Sequence, residues 1–175
     1  MADEVEVIRG LRGVYFDTTS ASFVDGEQGR LIYRGYNIHD LAENSTAEET
    51  FYLLMYGQLP TTTQLEEFDK KLKGSREIPE EVISVIRLVQ NAHPMYVLRT
   101  AISALAGTDP SSDISDMSVE GSREKGIRLT AQAPTIVAYH HRIRQGLDPV
   151  VPNSNLGHAA NFLYCLLYTS PSPRD

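Results

Sequence analysis

Several absences narrow the function of this 175-residue sequence before any motif is read. Its one cysteine, Cys165, excludes an intramolecular disulfide and any Cys-pair metal site. The longest apolar runs, residues 51–56 and 162–168, fall far short of the ~20 residues that a membrane-spanning helix needs. The opening Met1-Ala2-Asp3-Glu4 is acidic and lacks the apolar stretch of a secretory signal. A cytoplasmic location with no membrane partner is therefore expected. Positive charge is also scarce, at 16 Lys and Arg against 23 Asp and Glu, for a net charge of −7. An acidic surface repels phosphate backbones, which argues against nucleic acid as a partner.

What remains is ordinary globular material, 41% hydrophobic and 22% charged, which excludes collagen-like and wholly disordered classes. A chain this long fits one domain and would bury roughly 70% of its unfolded surface if it folded alone. The acidic excess sits in residues 1–81, with 8 basic and 16 acidic side chains, against 8 and 7 in residues 82–175. Those acids are spread over several segments, which predicts solvated helix faces rather than an interaction tail.

Residues 1–13 are polar and aperiodic and read as a lead-in arm. From Val14 to Tyr36 the residues turn β-branched and aromatic: Val14-Tyr15-Phe16, Ser22-Phe23-Val24 and Leu31-Ile32-Tyr33. Asp25-Gly26 between the last two is a turn signal, so a small hairpin is expected. The rest reads as six helical segments. Ser45-Thr46-Ala47-Glu48-Glu49 offers two overlapping capping boxes before the first, which Gly57 ends. A second covers about 63–73 with Leu65, Phe68 and Leu72 on one face, and Gly74 closes it. Pro79 opens a third with the stripe Val82, Val85, Ile86 and Val89. The fourth follows His93-Pro94 and carries Val97, Leu98, Ala101, Ile102 and Leu105. After a polar loop over 107–121, a long helix spans about 122–145, with Pro134 a kink or restart. The last begins near Asn155 and becomes apolar on every face over 162–168, which calls for neighbours to bury it. The class is mainly α with a minor β element.

Chemistry is hard to find by spacing. His140 and His141 are adjacent, so on a helix they point about 100° apart and cannot grip one metal; they read as a solvated or interface pair. His93 sits at a helix junction, where an imidazole bonds a nearby carbonyl. His158 starts a helix among small residues, which close packing explains. The run His140-His141-Arg142-Ile143-Arg144 reads as a polar helix face. Cys165 lies in an apolar run, which raises a thiol's pKa and leaves it inert. The aromatics of 51–56 read as core. Gly10-Leu11-Arg12-Gly13 precedes a strand and so is no dinucleotide fingerprint, and no Walker A or Gly-x-Ser-x-Gly sequence occurs. These residues supply no catalytic, cofactor-binding or metal site.

The text of the hairpin and first helices is more specific. Leu31-Ile32-Tyr33-Arg34-Gly35-Tyr36-Asn37-Ile38-His39-Asp40-Leu41-Ala42 resembles the Tyr-Arg-Gly-Tyr segment near the start of citrate synthases. Residues 45–60, with their Gly57-Gln58-Leu59-Pro60 exit, are similar to that family's next helix. His93-Pro94-Met95, Leu105-Ala106 and Ala159-Ala160-Asn161-Phe162-Leu163-Tyr164 continue the resemblance in order, over about residues 10–164. It is nearest to the shorter-chain bacterial and archaeal type, which includes 2-methylcitrate synthases.

The resemblance implies a multi-helical large domain, a homodimer, and acetyl-CoA and oxaloacetate as substrates, with no tightly bound cofactor. It implies an acyltransferase acting at the entry of the tricarboxylic acid cycle. In the family an Asp takes the methyl proton of acetyl-CoA while one His bonds the thioester oxygen. A second His polarises the ketone of oxaloacetate, and Arg side chains bind its carboxylates. The family's His-bearing segments, of His-Ala-Asp-His-Glu, Pro-Leu-His-Gly and Gly-His type, have no counterpart here, and none of the five His matches them. The expectation is an N-terminal part of such an enzyme, inactive alone: 1–13 arm, 14–164 large-domain portion, 165–175 non-native tail. Faces such as Val82 to Val89 and Val97 to Leu105 should then lose partners and expose apolar surface. The alternatives are a 2-methylcitrate synthase portion using propionyl-CoA, or a non-catalytic helical interaction module.

Overall fold

A computed structural model describes residues 10, 13, 14, 17–110 and 115–167. Most of the expected arm (1–13), residues 15 and 16 of the first expected strand segment, and residues 168–175 lie outside the described residues. The hairpin forms where alternation and Asp-Gly place it. Strands β1 (Ser22–Asp25) and β2 (Arg30–Tyr33) pair antiparallel, with Phe23 opposite Ile32. A short β3 (Tyr36–Asn37), which the sequence reading did not separate, pairs with β2 across the Arg34-Gly35 turn. Val14 is not in a strand.

Seven α-helices follow among the described residues. The first, α1 (Ile38–Asn44), was not expected; Asn37 caps it by accepting the His39 amide at 2.9 Å. Local signals set the next two. Thr46 and Glu49 close a capping box on α2 (Ala47–Tyr56), and Gly57 ends it at φ 86°, which only glycine adopts freely. Thr61 and Gln64 make a second box on α3 (Thr62–Gly74). Pro79 caps α4 (Glu80–Leu88), and Pro94 starts α5 (Pro94–Leu105), which runs into a 3-10 turn over Ala106–Thr108. The long helix α6 (Val119–Ile143) continues through Pro134 without restarting. The last, α7 (His158–Leu167), begins later than Asn155 and runs through a fully buried Cys165. No helix among the described residues is long and apolar enough to cross a membrane.

Two cores result. Ile78, Val82 and Ile86 of the α4 region meet Val97, Ala101 and Leu105 of α5 and Ile136, Tyr139 and Ile143 of α6. A smaller one joins Tyr52 of α2, Phe68 and Leu72 of α3, and Ile127 and Ala131 of α6. Burial in the first of these cores pushes the Tyr139 phenol up to about 12.

The expectation of bare faces on α4 and α5 is therefore corrected: Val82, Ile86, Val97 and Ala101 are all 0% exposed. The C-terminal half of α6 lies over both helices and supplies the missing partner. Exposed apolar residues remain at the end of α4 (Leu88), at the start of α5 (Met95 and Tyr96) and before α6 (Met117), with Leu88 and Met117 both 85% exposed. In α7, only Asn161 and Cys165 are buried, while Leu167 at the end is exposed, so the helix is covered on one side by α6 and α2 rather than all round.

Candidate functional site

The most chemically loaded place in the described residues is the junction of α2, α7 and the loop before α7. The sequence offers two capping boxes at 45–49, and the structure uses one. Thr46 accepts the Glu49 amide at 3.2 Å, and Glu49 Oε2 takes the Thr46 amide in return. Ser45 instead closes α1, its amide donating to Leu41 at 2.9 Å. That frees Glu48, whose Oε1 accepts the His158 amide at 2.7 Å. A carboxylate at the first amide of α7 satisfies an otherwise open donor and complements the helix dipole.

Behind this contact lies Arg76, 1% exposed. Its Nη1 donates to the carbonyls of Asn153 at 3.1 Å and Leu156 at 2.9 Å, holding the loop that leads into α7. Its Nε and Nη2 are buried without partners. Asn161 holds the same loop from the other side, accepting the Asn153 amide at 2.8 Å. Cys165, one turn on, donates weakly to Asn161 Oδ1 at 3.9 Å. His158 meets Phe51 edge to face at 5.2 Å, and its Nδ1 is buried and unpartnered.

Burial dominates the electrostatics. Desolvation lowers the Arg76 pKa, opposed by Asp69, Glu48 and Cys165. Desolvation and then the Arg76 charge lower that of His158, opposed by Glu48. Desolvation raises the Cys165 thiol, opposed by Arg76, Arg142 and Asn161, as expected for an inert cysteine. A neutral imidazole and a protonated thiol are not an activated pair. No group of three His, Cys, Asp or Glu that could hold a metal occurs among the described residues.

The other singled-out residues serve structure. His140, read with His141 as a solvated or interface pair, is instead 5% exposed within the chain, and its Nε2 bonds the Gln90 carbonyl at 3.0 Å. His141 pairs with Gln145 at 3.2 Å. His93 does not bond a carbonyl; its Nδ1 accepts the Met95 amide at 3.3 Å and caps α5. The basic run is not one polar face, because His140 and Ile143 point inward while Arg142 Nε donates to the Asp148 carbonyl at 2.7 Å.

The Tyr33-Arg34-Gly35-Tyr36 segment has a physical role that sequence reasoning missed. Arg34 sits at φ 48° and Gly35 at φ 93°, reversing the chain between β2 and β3. The Arg34 guanidinium bonds Ser20 and reaches the Leu54 carbonyl at 3.0 Å, fastening the small sheet to the last turn of α2. The only sequence signal was the Arg-Gly pair between two apolar strands. A concavity of about 190 Å³ between α5 and α6 is walled by Ile102, Leu105, Lys125 and the Arg128–Asp109 pair at 3.0 Å, and brings together no nucleophile and base.

Comparison with known proteins matches residues 10–175 to the family model described as citrate synthase, C-terminal domain. The chain is 42% identical over 170 residues to a citrate synthase of Haloferax volcanii, covering 95% of this chain and 45% of that protein. It is 41% identical over 160 residues to a 2-methylcitrate synthase of Mycobacterium tuberculosis, covering 91% of this chain and 40% of the relative. The crystal structure of a citrate synthase from Pyrobaculum aerophilum superposes with a TM-score of 0.88 at 41% identity, over 95% of this chain and 44% of that one. The chain thus spans a little under half the length of the relatives it matches.

Proposed function

This chain belongs to the citrate synthase family, and from that premise we propose that it is the N-terminal portion of an enzyme condensing acetyl-CoA with oxaloacetate and water to citrate and CoA. One observation carries the reading: similarity runs along 95% of this chain yet reaches only 45% of the Haloferax protein. The condensation needs a base for a weakly acidic methyl proton and a donor for the enolate oxygen that forms. In this reading both, with the arginines for the oxaloacetate carboxylates, lie in sequence beyond residue 164. The enzyme works as a cytoplasmic homodimer without a tightly bound cofactor.

The present residues contribute the frame. Supporting this, no histidine ring is paired with a carboxylate among the described residues. His140 and His93 are committed to Gln90 and to the start of α5, and Cys165 is held as a thiol. The closed cluster of α4, α5 and α6 gives a rigid base, and the Arg34 clip fixes the sheet on it.

Reading the coding DNA beyond codon 164 in every frame tests the proposal. Segments of Pro-Leu-His-Gly and Gly-His type are expected, and the complete product should release CoA from acetyl-CoA and oxaloacetate. A natural stop followed by an unrelated gene would overturn it in favour of a helical interaction module. A second reading, 2-methylcitrate synthase, is favoured by relatives of that name at 41% and 43% identity. The ratio of kcat/KM for propionyl-CoA over acetyl-CoA in the complete product decides between them.

A further inference from the structure

The α2–α7 junction buries charged and titratable groups for which the proposed reaction has no use. We propose that His158 makes it a proton-sensitive latch: the neutral ring lets α7 seat on α2, and the protonated ring releases the first turn of α7.

Each element packed on His158 supports this. From α2 come Glu48 and the uncharged edge of Phe51. From the segment before α4 comes Arg76, already a buried cation with two unpartnered donors. From α6, Thr130, Ala133, Pro134 and Val137 line a concavity with His158, and none of them carries charge. On α7 itself the other titratable side chains are Tyr164 and Cys165, and burial holds the Cys165 thiol neutral. A proton added at Nδ1 enters a buried place where that nitrogen has no acceptor. The one facing carboxylate, Glu48, already receives the His158 amide at 2.7 Å. Asp69, which also acts on Arg76, is held by Lys73 at 2.6 Å. The second positive charge would thus join the first with a single, committed anion between them, and burial of a poorly paired charge is costly.

The sign follows. Burial and Arg76 favour the neutral ring in the docked state, so docking is complete above the ordinary imidazole value of 6.5 and weakens as pH falls below it. At one unit below that value, a group kept neutral only when docked weakens docking by up to about tenfold.

Amide hydrogen exchange on the complete 175-residue chain, corrected for intrinsic rates, reads this at about pH 7.5 and about pH 5.5. Protection in α7 should fall up to about tenfold more than protection in α3, and His158→Gln should abolish that difference. The wild-type imidazole titration of His158, followed by NMR, needs no variant and should have its midpoint below 6.5. The latch is overturned by α7 protection that falls in step with α3, by a His158→Gln chain that keeps the α7-specific loss, or by a His158 midpoint at or above 6.5.

Discussion

Two regions lean on α6 and are closed in opposite ways. The cluster of α4, α5 and α6 is apolar apart from the Tyr139 hydroxyl, with Val82, Ile86, Val97, Ala101 and Ile136 at 0% exposure. The junction of α7 with α2 is closed by Arg76, Glu48, His158 and Asn161, and leaves three buried nitrogens without partners. Apolar closure is non-directional, so it tolerates small errors of fit and leaves nothing unsatisfied. Polar closure is directional, and every unpaired donor subtracts from it. The first region should answer to changes of volume, the second to changes of charge.

The largest effect expected is on the first region. Ile86→Ala should cost about 2–5 kcal/mol in urea unfolding, through lost burial and the cavity left behind. A loss under about 1 kcal/mol would mean that the cluster can collapse around the gap, and the contrast with the junction would weaken. Arg76→Met should cost less, about 1–3 kcal/mol, because the Asn153 and Leu156 carbonyls lose their donor while a buried charge is relieved. Its mark should be local, with faster amide exchange in the loop before α7 than in α4.

Helix caps give smaller effects. Thr46→Ala should cost roughly 1 kcal/mol and Ser45→Ala only a few tenths, since one capping box forms and the other does not. Equal losses would contradict the assignment of Glu48 to α7.

The smallest effect is a titration without consequence near neutral pH. The Tyr139 phenol, raised to about 12, should add no phenolate absorbance until well above the ordinary tyrosine value of 10.0, judged against Tyr139→Phe. Its neutral form is favoured in the fold, so the stability it contributes is present below pH 10 and is lost as pH rises towards 12.

The legible parts of the fold were those whose causes lie within a few residues. Thr46 with Glu49, Gly57, Pro94 and the Val82 to Val89 stripe each state their role locally, and α2, α4 and α5 form where those signals fall. The seven-residue α1 is too short to show a period, so its Asn37 cap went unread. The polar junction was illegible for a different reason. Glu48 and His158 are 110 positions apart, and Arg76 and Leu156 are 80 apart, so no window along the chain joins them. The same holds for His140, read with His141 as a solvated or interface pair: it is buried, and its Gln90 partner is 50 positions away. Family resemblance was legible in Tyr33-Arg34-Gly35-Tyr36, but the reach of Arg34 to Leu54, 20 positions on, was not.

On the proposed function, these residues frame a condensing enzyme and hold none of its reacting groups. Release of free CoA thiol by the purified 175-residue chain, given acetyl-CoA and oxaloacetate, tests it most directly. Release no faster than in buffer alone is expected; turnover by the pure chain would contradict the proposal.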